Sequence, residues 1–364
     1  MKNQPHPTHT SFNSFRAALA VAVAGLALGL TGCGQAEPGG EAAAPADTEQ
    51  VVNLYTQRHY ELDQEIYDRF AEETGITVNV VKAGADQLIE RLKAEGEDSP
   101  ADLFLTVDIG RMARAQEAGL LQPSESEVLA AQVPAAHRGD QGDWYGITKR
   151  GRVIAYHKDR VSPEELSNYE DLADPKWKGR ILVRSSSNLY NQALVASLIA
   201  EHGPEKVESW ARGFVDNLAR SPKGNDRDQM RAVAAGEGDL ALVNTYYLGL
   251  LANGSPEDQA VAEQIGIFFP NQEDRGTHVN LSAAGITKSA QNKENAIRLL
   301  EFLTSEPIQE IYAESNYEYP VNPNVEAAGI VQSWGTFKED DLGHDVIGQH
   351  EEEALKLADR VGWQ

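Results

Sequence analysis

The chain predicts an α/β protein built as two lobes, and three observations predict it. Strand-like and helix-like segments alternate from residue 51 onward. About 310 residues follow the first 50, more than one ordinary hydrophobic core holds. A long extended run at 144–156, with further extended stretches at 266–270 and 277–286, offers strands that leave one lobe for the other and return.

The first element is an expected lipoprotein signal peptide at residues 1–32. Lys2 and Arg16 stand in a stretch without acids, residues 17–30 are apolar, and Leu30-Thr31-Gly32-Cys33 has the form of a lipoprotein cleavage box. The apolar run falls short of the roughly 20 residues that span a bilayer. Cys33 is the only cysteine, which excludes an internal disulfide and suits lipid attachment. Residues 33–50, rich in Ala, Gly, Pro and Glu beyond the lipidated cysteine, read as a flexible tether that lets the body roam roughly 20 to 25 Å.

After the tether, residues 51–55 form a short apolar strand. Leu62, Ile66 and Phe70 recur at four-residue spacing on a helix that stops near Gly75, and residues 76–81 form a second strand. A helix at 86–94 and a strand at 103–107 complete a β-α-β-α-β order, which predicts a parallel sheet with helices on its faces. A second α/β pattern follows: strand 180–183, helix 192–200, helix 229–235 and strand 240–243. Lobe 1 is expected at 51–147 and 276–322, and lobe 2 at 148–275 and 323–364. The sequence shows no internal repeat, and its one low-complexity region is the tether.

Charge narrows the partners. Lys2 and Arg16 are the only charged residues among the first 32, so the remainder carries 30 basic against 56 acidic residues, a net charge of −26. Nucleic acid is a poor partner, because phosphate affinity depends on Lys and Arg contacts. An anionic membrane repels such a surface too, which gives a covalent lipid anchor its purpose. Acidity itself reads as solubility in a saline environment. No His-Glu-x-x-His, Gly-x-Ser-x-Gly, Walker loop or strand-linked Gly-x-Gly-x-x-Gly points to an enzyme.

Function is written at the strand-to-helix junctions. In open α/β sheets ligands collect beyond the carboxyl ends of strands. His59-Tyr60 follows the strand at 51–55, Tyr190 follows the strand at 180–183 through Ser185-Ser-Ser-Asn188, and Tyr246-Tyr247 follow the strand at 240–243, with Asn244 or Thr245 as the N-cap. A free phenol ionises near pH 10, so phenolate in a neutral cleft needs a strong positive field. Helix N-termini supply part of it and a trivalent hard cation supplies more. Hard cations prefer oxygen, and phenolate ligates iron in haem proteins, so iron(III) is the natural candidate. Four phenolates on one such ion leave a single negative charge, which one arginine balances. His344 and His350 beside Glu351, Glu352 and Glu353 mimic a zinc cluster, but their spacing fits no familiar pattern and reads as a solvated helix face.

Gln57-Arg-His-Tyr60, Ser99-Pro-Ala-Asp-Leu-Phe104, Trp144-Tyr-Gly146, Tyr169-Glu-Asp-Leu-Ala-Asp-Pro-Lys-Trp177 and Asn244-Thr-Tyr-Tyr247 resemble the periplasmic ferric-iron-binding proteins of ABC importers, the bacterial transferrins. The likeness covers residues 51–364 and is strongest to the cyanobacterial FutA-like branch. It implies a type II periplasmic binding protein fold, two lobes with a hinge and an interlobe cleft. By that resemblance Tyr60, Tyr190, Tyr246 and Tyr247 ligate iron, His59 is a fifth ligand or close neighbour, and Arg150 is the counter-charge over the cleft. Ser185, Ser186 and Asn188 are the candidates to hold a synergistic anion, whose need stays open, as does the choice between Fe3+ and Fe2+. The implied partners are a membrane permease and its ATPase subunit, served by a monomeric, lipid-anchored periplasmic protein without enzymatic activity. An organic solute such as a polyamine, thiamine or a sugar is the alternative ligand, and a metal-dependent surface hydrolase or redox protein a third reading.

Overall fold

Leu62 opens the helix whose four-residue spacing the sequence displays, and α1 (Glu61–Thr74) follows β1 (Val51–Thr56) with Ile66, Tyr67 and Phe70 turned inward. Asp63 folds back to accept the Tyr60 N–H at 3.2 Å. Gly75 ends the helix at φ 74°, a conformation that favours glycine. The computed structural model describes residues 50–327 and 329–364. The expected signal peptide, Cys33 and all but the last residue of the tether lie outside the described residues.

The remaining elements run β2 (Thr77–Lys82), α2 (Ala85–Glu95), β3 (Leu103–Thr106), α3 (Ile109–Glu117), α4 (Glu127–Gln132) and β4 (Trp144–His157). Next come β5 (Ile181–Leu182), α5 (Leu189–His202), α6 (Pro204–Asp216), α7 (Asp226–Ala234), β6 (Leu240–Asn244), α8 (Tyr246–Ala252), α9 (Pro256–Gln264) and β7 (Ile265–Phe268). The chain closes with β8 (Val279–Ile286), α10 (Lys293–Leu303), α11 (Glu306–Ser315), β9 (Tyr319–Pro320), α12 (Gly329–Ser333) and α13 (His344–Val361). No helix among the described residues is long and apolar enough to cross a membrane.

Strand order is β2-β1-β3-β8-β4-β6-β5, with β7 and β9 also on β4. The expected parallel pairing holds for β2-β1-β3 and for β5-β6. The crossing strands, whose direction the pattern left open, are antiparallel: β8 runs against both β3 and β4, and β4 against β6. A parallel neighbour needs a crossover connection that turns the chain around. β8 follows β7 along β4, β7 pairing from His157 to Ile154 and β8 from Gly151 to Trp144, so it keeps the same antiparallel direction.

β4 joins two sheet regions. Up to Gly151 it pairs with β8, and from Arg152 onward with β6. Two hydrophobic clusters flank the first region, around Leu54, Phe70 and Leu299 and around Phe104, Met112 and Leu281. Two more flank the second, around Trp177, Leu194 and Leu357 and around Val153, Met230 and Val243. The switch of partners along one strand thus separates two cores.

α13 is built into the second core through Ile347 and Leu357, joined by Trp363 just past its end, yet it also packs on α3. Gly348 allows the approach: a Cβ there would stand 2.5 Å from that of Ala113. This corrects the solvated-face reading of its acidic run. Glu351 is buried and accepts from Arg111 Nη1 at 2.8 Å, while Glu352 does face water. Burial first, then neighbouring Asp108, hold the Glu351 carboxyl well above the usual carboxylate range against the pull of Arg111. His344 is half-buried, its imidazole pushed down to about 4 by burial and by His137.

Candidate metal centre

The three junctions meet. Tyr246, fully buried at the start of α8, has its hydroxyl 3.5 Å from that of Tyr60 and 3.4 Å from that of Tyr190. Tyr247 packs ring to ring on Tyr246, with centroids 4.1 Å apart. Residues 60, 190 and 246–247 lie after β1, β5 and β6, so the cluster gathers phenols from both sheet regions. Asn188 caps α5 and fixes Tyr190 by accepting its N–H at 3.1 Å. At α8 the expected side-chain cap is missing, because Thr245 holds the cap position in a helical conformation and makes no such bond.

Packing phenols together raises the cost of ionising them. Burial is the main cause that lifts Tyr60, Tyr246 and Tyr247 above the ordinary phenol value, and the neighbouring Tyr190 adds to it in each. A cation among these oxygens would reverse that balance.

Guanidinium groups surround the cluster. Thr148, Arg150 and Arg152 sit at alternate positions of β4 and so share one face of the strand. Arg150 is buried, donates to Ser282 Oγ at 3.1 Å and to the Val107 carbonyl, and lies 5.6 Å from the Tyr190 ring centroid. Its expected place beside the tyrosines and its role in an ion pair coexist, since Glu318 approaches it at 3.9 Å. Arg58 bonds Glu318 at 3.1 Å, Asp63 at 2.9 Å and Thr148, and covers the Tyr60 ring at 5.1 Å. Burial opposes ionisation of Glu318, but Arg58 and Arg150 outweigh it and hold the carboxyl below its ordinary range. Arg152 bonds Asp226 at 2.6 Å, and Arg184 reaches the same carboxylate at 3.3 Å.

The other expected site residues divide. His59 is exposed, stacked on the Tyr60 ring at 5.3 Å, with Nδ1 3.3 Å from the Gln57 carbonyl, so it stands beside the cluster. Ser186 is buried and donates to the Trp363 carbonyl, and Asn188 spends its side-chain oxygen on the α5 cap. Ser185 pairs with Ser187 at 3.0 Å. The supporting residues Arg58, Arg152, Arg184, Asp226 and Glu318 escaped the sequence reading. Arg58 alone carried a signal, as the charged residue between a strand and the His59-Tyr60 pair. Among the described residues no three His, Cys, Asp or Glu side chains gather as a metal site, so the phenols are the candidate donors.

Comparison with known proteins places this geometry. Residues 98–338 match the family model for bacterial extracellular solute-binding proteins. The chain is 52% identical to iron uptake protein A1 of Synechocystis sp. over 336 residues, covering 92% of this chain and 93% of that protein. It is 32% identical to the Fe(3+)-binding periplasmic protein of Serratia marcescens, covering 77% and 81%. Its structure superposes on the Trichodesmium protein IdiA (FutA) in complex with iron and citrate with a TM-score of 0.82 at 54% identity, covering 86% of this chain and all of that one. Apo FutA2 from Synechocystis gives 0.81 at 46% identity, covering 87% and 100%. The architecture is the two-lobed type II periplasmic binding fold, with β4 shared by its two sheet regions. A cluster of phenols at strand ends, a strand shared by two cores and these matches together establish that the chain belongs to the bacterial extracellular solute-binding protein family.

Proposed function

We propose that this protein captures ferric iron as the substrate-binding component of an ABC importer, with Tyr60, Tyr190, Tyr246 and Tyr247 as phenolate ligands. The observation that carries the reading is the convergence of three hydroxyls from separate parts of the chain, 3.4 and 3.5 Å from one another around Tyr246. Phenolate oxygen suits a hard trivalent cation. Charge supports the same ion: Arg58, Arg150, Arg152 and Arg184 face Asp63, Glu318 and Asp226, one positive charge in excess. Four phenolates around Fe3+ carry one negative charge, and the site then closes at neutrality. His59, beside Tyr60, is the fifth donor in this reading. The relatives named as iron uptake and ferric-iron-binding proteins favour this cargo over a polyamine, thiamine or a sugar.

The lobes are taken as 51–147 with 276–322 and 148–275 with 323–364, hinged where β4 exchanges partners. Proteins of this class serve a membrane permease and its ATPase, and this one is assigned that role without catalysis of its own. Lipid attachment at Cys33 in the periplasm completes the assignment, keeping a strongly acidic body at a membrane that would otherwise repel it.

Titration of the purified protein with ferric iron, followed by visible absorption, tests the ligands. Iron phenolate is coloured, so the wild type should develop a charge-transfer band that Tyr246→Phe and Tyr190→Phe each diminish while retaining the fold. A wild-type protein that stays colourless, or a band indifferent to both substitutions, would refute the assignment.

A further inference from the structure

Tyr190 stands on α5 and the Tyr246-Tyr247 pair at the β6–α8 junction, and a single carboxylate without access to water lies between these supports. Asp226, the first residue of α7, is 0% exposed. Its Oδ2 accepts from Arg152 at 2.6 Å and from the Asn244 N–H at 2.8 Å, and its Oδ1 accepts from Arg184 at 3.3 Å. Arg152 passes the connection on, donating to the Asn191 side chain at 2.6 Å and to that of Asn244 at 3.1 Å. The Asn191 amide then donates to the carbonyls of Arg184 and Ser185 at 2.9 and 3.1 Å. Asn191 adjoins Tyr190, Asn244 lies two residues before Tyr246, and the Arg184 guanidinium covers the Tyr190 ring at 5.8 Å.

We propose that Asp226 is the positioning residue that sets the Tyr190 oxygen against those of Tyr246 and Tyr247, acting through Arg152, Asn191 and Asn244. The inference rests on the iron reading above and adds to it the residue that fixes the distance between phenolates of different elements. A carboxylate suits the task because it accepts from two guanidiniums and one backbone N–H at once. An amide in its place offers one acceptor oxygen and turns a donor toward a guanidinium. Ligand geometry is sensitive to such supports, whose loss typically weakens metal binding by roughly 10- to 100-fold.

Asp226→Asn and Asn191→Ala, each in the full chain, separate this role from plain stabilisation. Both variants should fold by circular dichroism, show an iron charge-transfer band displaced in wavelength from the wild type, and surrender iron to citrate at roughly tenfold lower concentration. Merely structural residues would lower the melting temperature and leave the band where it is. An unmoved band with unchanged citrate resistance in a folded variant overturns the proposal, as does collapse of both variants, which would assign the network to the fold. A wild-type protein without any band defeats the underlying iron reading instead, and the two failures are distinguished by that control.

Discussion

Lowering the pH by one unit should weaken iron capture about a thousandfold through three phenols alone. Tyr60, Tyr246 and Tyr247 are held above the ordinary phenol value chiefly by burial, so each carries its proton at neutral pH. Ferric iron bound as phenolate must displace these protons, and each proton displaced makes affinity rise tenfold per pH unit, about 1.4 kcal/mol. Three protons give about 4 kcal/mol per unit. The sign follows from competition: protons and iron seek the same oxygens, so acid favours release throughout the range below the raised phenol values. Competition against nitrilotriacetate between pH 6 and 8, corrected for the chelator's own protonation and for iron hydrolysis, measures the slope. Proton release in weakly buffered solution with a pH dye counts the same protons directly. A slope below two decades per unit, or equivalently fewer than two protons released per iron, would refute the phenolate mechanism.

Two further predictions concern the frame. Arg111→Met removes the partner of buried Glu351 and Asp108 and the 2.9 Å bond to Gln192 on α5, and should cost about 3 kcal/mol in denaturant unfolding. A loss under 1 kcal/mol would show that the network is not a net support. Trp363→Ala empties a fully buried site next to Phe214 and deletes the indole bond to the Arg184 carbonyl, for a loss of about 3 to 5 kcal/mol in the same measurement.

The parts of this molecule that depend on local pattern were legible in its sequence. The 51–55 strand, the helix ending at Gly75 and the long 144–156 extended run all recur within a residue or two as β1, α1 and β4. The meeting of the tyrosines was legible because each follows the end of a strand. The direction of β8 was not, since nothing in a strand's own residues records which way it runs beside its neighbours. Nor were Asp226, Glu318 and Glu351. A buried carboxylate looks like a surface one until the arginine it meets, 240 positions away for Glu351 and Arg111, is brought beside it. The same limit explains why an acidic run on α13 suggested water when one of its members faces α3.

Thr148, Arg150 and Arg152 owe their common orientation to nothing but the parity of an extended chain. β4 already carries one extra residue against β8 between Gly146 and Thr148. A residue inserted or deleted past that bulge, between Thr148 and Arg150, would leave β4 able to pair yet swing both guanidiniums to the opposite side and present their neighbours to the tyrosines instead. Loops elsewhere on the protein can lengthen freely during evolution. This stretch must drift by substitution alone, so its length should be as fixed across relatives as the phenols themselves.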